Sequence, residues 1–245
     1  SAVEAATLLS KTNTVSLWCD GEFLPTFNTS LTKLLARTLF KVVARCNEKP
    51  NAEVFDVCIL ASHRLPQSES LQLMKARVDS CDGFIETNAS FQTSNPKIFA
   101  VGECTGCKHS AAVAIAQGRI AAESACGQDS QLDSTCIPQV VWSSPELAQC
   151  GAFDPGHTTT IQWGNSGLAT VLGQQKGITI LSFESSSQAI LGVGILGDGA
   201  TEMISEAVLA IEMGATLYDL ATTIRPHPTR CEMLSEAART ALSSL

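Results

Sequence analysis

Ile190-Leu191-Gly192-Val193-Gly194-Ile195-Leu196-Gly197 is the stretch on which the reading of the fold turns. Its apolar residues are spaced by glycines, and no glycine follows early in the next helix. Asp198-Gly199 follows instead, so strand packing explains the stretch and a nucleotide loop does not. A second apolar run at 177–183 precedes it, and the two read as antiparallel strands over 177–183 and 189–196. Residues 201–213 then carry Ile204, Ala207, Val208 and Ile211 on one helical face, with Gly214 past the end. His227-Pro228-Thr229-Arg230-Cys231-Glu232 leads into a last helix over about 230–242. Strands followed by helices predict an α+β layer for 136–245, opening at Gln139-Val140-Val141-Trp142.

Toward the amino terminus the pattern changes. Residues 2–9 read as a helix, 15–18 as a short strand, 31–43 as a helix and 54–60 as a buried strand. This alternation predicts part of a βαβ, Rossmann-like unit over 1–62. Residues 63–97 are turn-rich. A strand over 97–102 ends in Gly102, an alanine-rich helix over 111–123 stops near Gly127, and 127–136 is a polar connector. The expected class is therefore α/β plus α+β in three segments, 1–62, 63–135 and 136–245.

Composition removes several functions. Of 245 residues, 24 are acidic and 16 are Lys or Arg, a formal charge of −8, which argues against phosphate-backbone binding and hence nucleic acid. No run of 18 apolar residues is present to span a membrane. The ten cysteines are scattered irregularly, as expected of reduced intracellular thiols. Cys104-Thr105-Gly106-Cys107 has no second pair spaced to complete a zinc site, so no metal is expected and the two thiols read as incidental.

His227 and Glu232 are the candidate catalytic residues through the family resemblance of their motif, which implies thiol and disulfide chemistry for them. An imidazole can take a proton from a thiol, because the thiolate is the species that attacks a disulfide. A carboxylate bonded to its other nitrogen fixes the tautomer and steadies the imidazolium. Thr229-Arg230-Cys231-Glu232 is also a capping box for the last helix, so two roles compete for one carboxylate.

These segments resemble the carboxy-terminal half of dihydrolipoamide dehydrogenase and its family, the pyridine nucleotide-disulfide oxidoreductases. In that family HPTxxE follows an ILGxxIxG strand and a GEMIxEAxLA helix, as His227 to Glu232 follow 190–197 and 202–210. The segment at 140–148 resembles the family's "vyTxPExA", Ile98-Phe99-Ala100-Val101-Gly102-Glu103 its "IyAiGD", and Ser1-Ala2-Val3-Glu4 the tail of its nicotinamide fingerprint.

The resemblance implies a remnant of the NAD-binding domain at 1–62, a central segment of the FAD-binding domain at 63–135 and an interface, or dimerisation, domain at 136–245. It implies that His227 and Glu232 reach a partner subunit's redox cysteines during oxidation of dihydrolipoyl groups. The partner would be another chain across the interface domain, in a homodimer, a heteromer or a larger complex. Gly102, Glu103, His109, Ser110 and Ala111 match positions that face FAD, which would bind only with an upstream or partner flavin domain. The sequence departs from the family here, with Gly102-Glu103 for Gly-Asp and Cys107-Lys108-His109-Ser110 for the "LAH" element. The Cys-x4-Cys redox pair and the flavin fingerprint are not in this sequence, and the nicotinamide fingerprint would lie mostly ahead of Ser1. Trp18 stands where an acidic residue meets the ribose, so NAD binding by this chain alone is not expected. Relatives work in the mitochondrial matrix or bacterial cytoplasm. The alternative is a catalytically inactive structural subunit descended from this family.

Overall fold

The computed structural model describes residues 2–9, 15–19, 24, 27–38, 42–46, 56–59, 61, 64–106, 110–132, 136–154 and 157–245. Two compact units result, one formed by residues 1–59 with 135–245 and the other by residues 60–134. The first opens with α1 (Ala2–Leu9), β1 (Val15–Cys19), α2 (Thr29–Thr38) and β2 (Val42–Cys46). β1 and β2 pair in parallel, Val15 opposite Val42 through Cys19 opposite Cys46, so the expected βαβ piece is present. Its second strand lies elsewhere than expected. The helix predicted over 31–43 ends at Thr38, and Val42 and Val43 belong to the strand. The strand predicted over 54–60 is absent from described residues 56–59, where Val57 and Ile59 are exposed with nothing to cover them. β-branched Val42 and Val43, placed by pattern at the end of a helix, are better strand formers.

The second unit holds α3 (Leu73–Ala76), β3 (Ser80–Cys81), β4 (Phe84–Ile85) and α4 (Ala111–Ala125). The predicted strand over 97–102 reduces to one bridge, Gln92 to Phe99. A tight turn is the reason: the Ile98 amide donates to the Asn95 carbonyl, and the Thr93 amide and hydroxyl both bond the Ile98 carbonyl. That leaves no run of free backbone for a ladder. Ser110 caps α4 by accepting the Val113 amide at 3.4 Å.

The rest of the first unit is built on one antiparallel sheet of β5 (Gln139–Val141), β6 (Leu147–Gly151), β7 (Thr158–Gln162), β8 (Ile178–Phe183) and β9 (Ile190–Leu196), in the order β5-β6-β9-β8-β7. A short α5 (Gly167–Val171) follows β7; α6 (Ala200–Glu212), α7 (Leu217–Thr222) and α8 (Glu232–Ser243) follow β9. Every residue of β8 is buried, because both faces of the sheet are covered. On one face Leu181, Phe183, Val193 and Ile195 pack against Met203, Ile204 and Ala207 of α6 and against Leu234, Ala237, Ala238 and Ala241 of α8. On the other, Ile178, Ile180, Leu147 and Leu196 meet Val3, Leu31 and Leu35 from α1 and α2.

The glycines of β9 permit these approaches. A Cβ on Gly194 would come within 2.5 Å of Leu31 Cδ1, and one on Gly192 within 2.2 Å of the Ala152 carbonyl oxygen. Strand packing therefore accounts for the glycine run. β6 and the edge strand β7 carry no helix-like apolar spacing and no long apolar run, and the sequence reading passes over them as strands.

Candidate functional site

His227 and Glu232 are brought together. His227 Nδ1 lies 2.8 Å from Glu232 Oε1. An ionised carboxylate only accepts, so Nδ1 carries a proton, and in the neutral ring Nε2 is then the free base. The His227 side chain is 78% exposed and that of Glu232 33%. The second carboxylate oxygen, Oε2, accepts the Thr229 amide at 2.8 Å. The two competing roles are thus divided between two oxygens of one group. The box itself is half made, since the Thr229 hydroxyl donates to the Pro226 carbonyl (2.9 Å) instead of closing the reciprocal bond. The Thr229 amide, then the imidazole, hold the Glu232 carboxyl below the ordinary glutamate range.

The pair stands on anchored ground. α8 begins at Glu232 and buries Met233 and Leu234 against the sheet, which fixes where the carboxylate projects. Arg230, inside the motif, donates from Nε and Nη2 to Gln174 Oε1 (3.1 and 2.9 Å), and Gln174 Nε2 donates to Asp198 Oδ2 (2.6 Å). Glu146 Oε2 accepts the Thr201 amide (3.1 Å) and hydroxyl (2.7 Å), seating the start of α6. Arg225 is nearly buried and bonds Glu206 of α6 and Ser235 of α8. The motif marks none of these partners, since each lies 10–56 positions away in the chain. Nothing in the letters around Arg225 (Thr222, Thr223, Ile224 and Pro226) marks it as part of the site.

His227 and Glu232 line a groove of about 610 Å³ together with Gln162 of β7, Ser166 at the start of α5, and Glu236 and Arg239 of α8. The nearby thiol is not a redox partner in waiting. Burial, and then the Glu206 carboxylate, push Cys231 up, which keeps it protonated. Burial does the same to Cys150 in the core. Among the described residues no cluster of three or more His, Cys, Asp or Glu could hold a metal ion, and no helix is long and apolar enough to cross a membrane.

The other predicted positions lie in the second unit. The Gly102 amide donates to the buried Gln117 Oε1 of α4 at 2.6 Å, and its φ of 83° suits a residue without Cβ. Glu103 follows in a single 3-10 turn, and Arg64 Nη2 sits 2.8 Å from its Oε1. Ser110 and Ala111 open α4, with Ala111 exposed. His109 lies outside the described residues, as do Cys107 of the CxxC and Asp20 beside the ribose position. Cys104 is described, and its thiol donates to the Val101 carbonyl at 3.3 Å.

Residues 137–238 match the family model described as the pyridine nucleotide-disulphide oxidoreductase dimerisation domain. The chain is 38% identical over 194 residues to a dihydrolipoyl dehydrogenase of Thermus scotoductus, covering 76% of this chain and 42% of that protein. It is 33% identical over 218 residues to one of Buchnera aphidicola, covering 85% and 46%. The chain thus spans about half the length of the curated relatives it matches. The HOCl-induced flavoprotein disulfide reductase RclA from Escherichia coli superposes with a TM-score of 0.85 at 19% identity, over 97% of this chain and 62% of that one. LpdA from Mycobacterium tuberculosis gives 0.87 at 20%, over 97% and 59%. At those identities the solved structures show the fold alone.

Proposed function

Since the chain belongs with the pyridine nucleotide-disulphide oxidoreductases and carries that family's dimerisation domain at 137–238, we propose that His227 and Glu232 are the acid–base pair of a dihydrolipoyl dehydrogenase-like flavoprotein disulfide reductase. The observation that carries this is the 2.8 Å contact between Nδ1 and Glu232 Oε1, which in the neutral form of this solvent-facing ring selects the tautomer with Nε2 free to accept a proton. In this role Nε2 takes the proton of a substrate thiol, and the thiolate so formed attacks the redox disulfide of a partner chain. Glu232 holds the tautomer and stabilises the imidazolium until the proton leaves. The groove beside the pair receives the thiol-bearing arm of a dihydrolipoyl group. The partner is a second copy of the family's interface domain, identical or related, whose exposed Leu209, Met213 and Ile224 counterparts meet these.

In this reading residues 1–62 belong to the NAD-binding domain, 63–135 to the FAD-binding domain and 136–245 to the interface domain. Gly102, Glu103, Ser110 and Ala111 fit FAD in part. The capped, exposed start of α4 suits an electron-rich ring edge, while Glu103 is already engaged by Arg64. Bound there with the flavin-bearing half, FAD would supply the two-electron acceptor for the thiols. The site of action is the mitochondrial matrix or a bacterial cytoplasm.

A second reading, an inactive structural subunit within a larger assembly, is favoured by the Arg64–Glu103 pair, which occupies the carboxylate expected to face flavin. Dihydrolipoamide-dependent NADH formation by the chain assembled with a flavin-bearing half separates the two. Activity that His227→Ala removes supports the acid–base reading; a yellow, assembled but inactive complex overturns it.

A further inference from the structure

We propose that Arg225 is a positioning residue for the His227–Glu232 pair, clamping the segment that carries the imidazole to the helix that carries the carboxylate. The proposal rests on the acid–base reading of that pair. Exposure poses the problem that Arg225 solves. The His227 side chain is 78% exposed, so packing does not orient it, whereas that of Arg225, two residues earlier, is 5% exposed. Arg225 Nη1 donates to the Leu220 carbonyl at 2.9 Å, the Thr223 carbonyl at 3.2 Å and the Ser235 hydroxyl. Nη2 donates to Glu206 Oε1.

One planar group therefore joins the end of α7, the middle of α6 and the first turn of α8. Ser235 is 2% exposed and stands three residues after Glu232, on the same turn. On the other side of the imidazole, the Thr229 amide is fixed to Glu232 Oε2 and Arg230 to Gln174. His227 is held in a span of four residues between two anchors.

The chemistry of the clamp calls for arginine. Several acceptors in different directions need a fork of donors, and a lysine ammonium presents a single point of charge. Displacing the segment would strip a buried charge of its partners, which keeps the segment in place. The buried Nε has no acceptor among the described residues.

The test reads the imidazole itself. The full 245-residue chain contains four histidines, and ¹⁵N-histidine labelling with His227→Ala assigns the signal of interest. Above the titration of the ring, the parent chain should show His227 chiefly as the Nδ1–H tautomer that donates to Glu232. Arg225→Lys should lower the ratio of Nδ1–H to Nε2–H by about threefold to tenfold, the loss of one net hydrogen bond. Ser235→Ala, which removes one acceptor, and Glu206→Gln, which keeps an acceptor but removes its charge, leave the guanidinium in place and should lower it less.

A ratio unmoved in Arg225→Lys, with a lowered melting temperature or without one, overturns the proposal. Should that variant fail to fold, an unmoved ratio in both Ser235→Ala and Glu206→Gln overturns it equally. Turnover plays no part in this reading. If His227→Ala retains thiol oxidation while the tautomer ratio collapses in Arg225→Lys, the functional reading fails and the positioning role stands.

Discussion

The two segments to which the resemblance assigns chemistry differ in how their carboxylates are used. At the carboxy terminus, Glu232 gives one oxygen to the imidazole and the other to a backbone amide. Its geometry is complete within the chain. In the second unit, Glu103 stands where the family has aspartate, and its carboxylate meets Arg64 at 2.8 Å. One carboxylate is aimed at the imidazole of the proposed acid–base pair, whereas the other is taken up by a surface ion pair. The contrast teaches that a conserved-looking motif and a conserved geometry are separate properties. The first is read from letters, and the second depends on what else reaches the same atoms.

The largest effect that could break the contrast is at His227. In the assembled flavoprotein, His227→Ala should reduce thiol oxidation by about 10²- to 10⁴-fold, the usual contribution of a positioned general base. A loss under threefold in kcat/KM would place both segments on the same inert footing. Glu232→Gln should cost less, about 10- to 100-fold, because the amide still bonds the ring or the Thr229 amide but no longer stabilises the imidazolium by charge. The fall should appear in kcat more than in KM, since the charge forms during the reaction.

Acid provides the next measure. The Glu232 carboxyl is held below its ordinary range in the folded chain. A depressed folded value means that its contribution to stability is fully present above the ordinary glutamate value and is lost as pH falls through the folded one. The difference in melting temperature between the parent chain and Glu232→Gln should therefore shrink steadily over that acid interval. It should be constant from mildly acidic pH upward. A difference that stays fixed throughout would mean that the carboxylate makes no special contact. The parent effect is modest because the group sits near solvent.

The legible parts of the molecule were those with local periodicity. β8 and β9, both buried on two faces, and the amphipathic α6 stand within a residue or two of their sequence readings. His227 and Glu232 were singled out by the resemblance of 227–232 to the family's HPTxxE motif, and the fold brings Nδ1 and Oε1 to 2.8 Å. Long-range context decided the rest. The apolar letters of 54–60 look like a strand, yet Val57 and Ile59 find no cover, while Val42 and Val43 pair beside β1. The run ending at Gly102 looks like a strand, but a turn at Asn95 uses up its backbone bonds. Arg225, Gln174 and Glu146 were invisible as site residues, because each acts on a partner that only folding brings near. Whether two roles of Glu232 compete could not be read from spacing either, since spacing does not count oxygens.

The smallest effect tests the other half of the contrast. Arg64 and Glu103 expose 64% and 37% of their side chains, so Arg64→Ala should change the stability of the chain by no more than about 1 kcal/mol. Its value lies in what it frees. If the ion pair alone keeps Glu103 from a flavin ribityl hydroxyl, Arg64→Ala should tighten flavin retention in the assembled protein, and Glu103→Asp in that background should tighten it further by shortening the reach. Flavin released on dilution, followed by absorbance, measures both. If retention is the same in all three proteins, the carboxylate at 103 has no part in flavin binding. The two segments would then differ in kind: one keeps its chemistry, and the other only the outline of its fold.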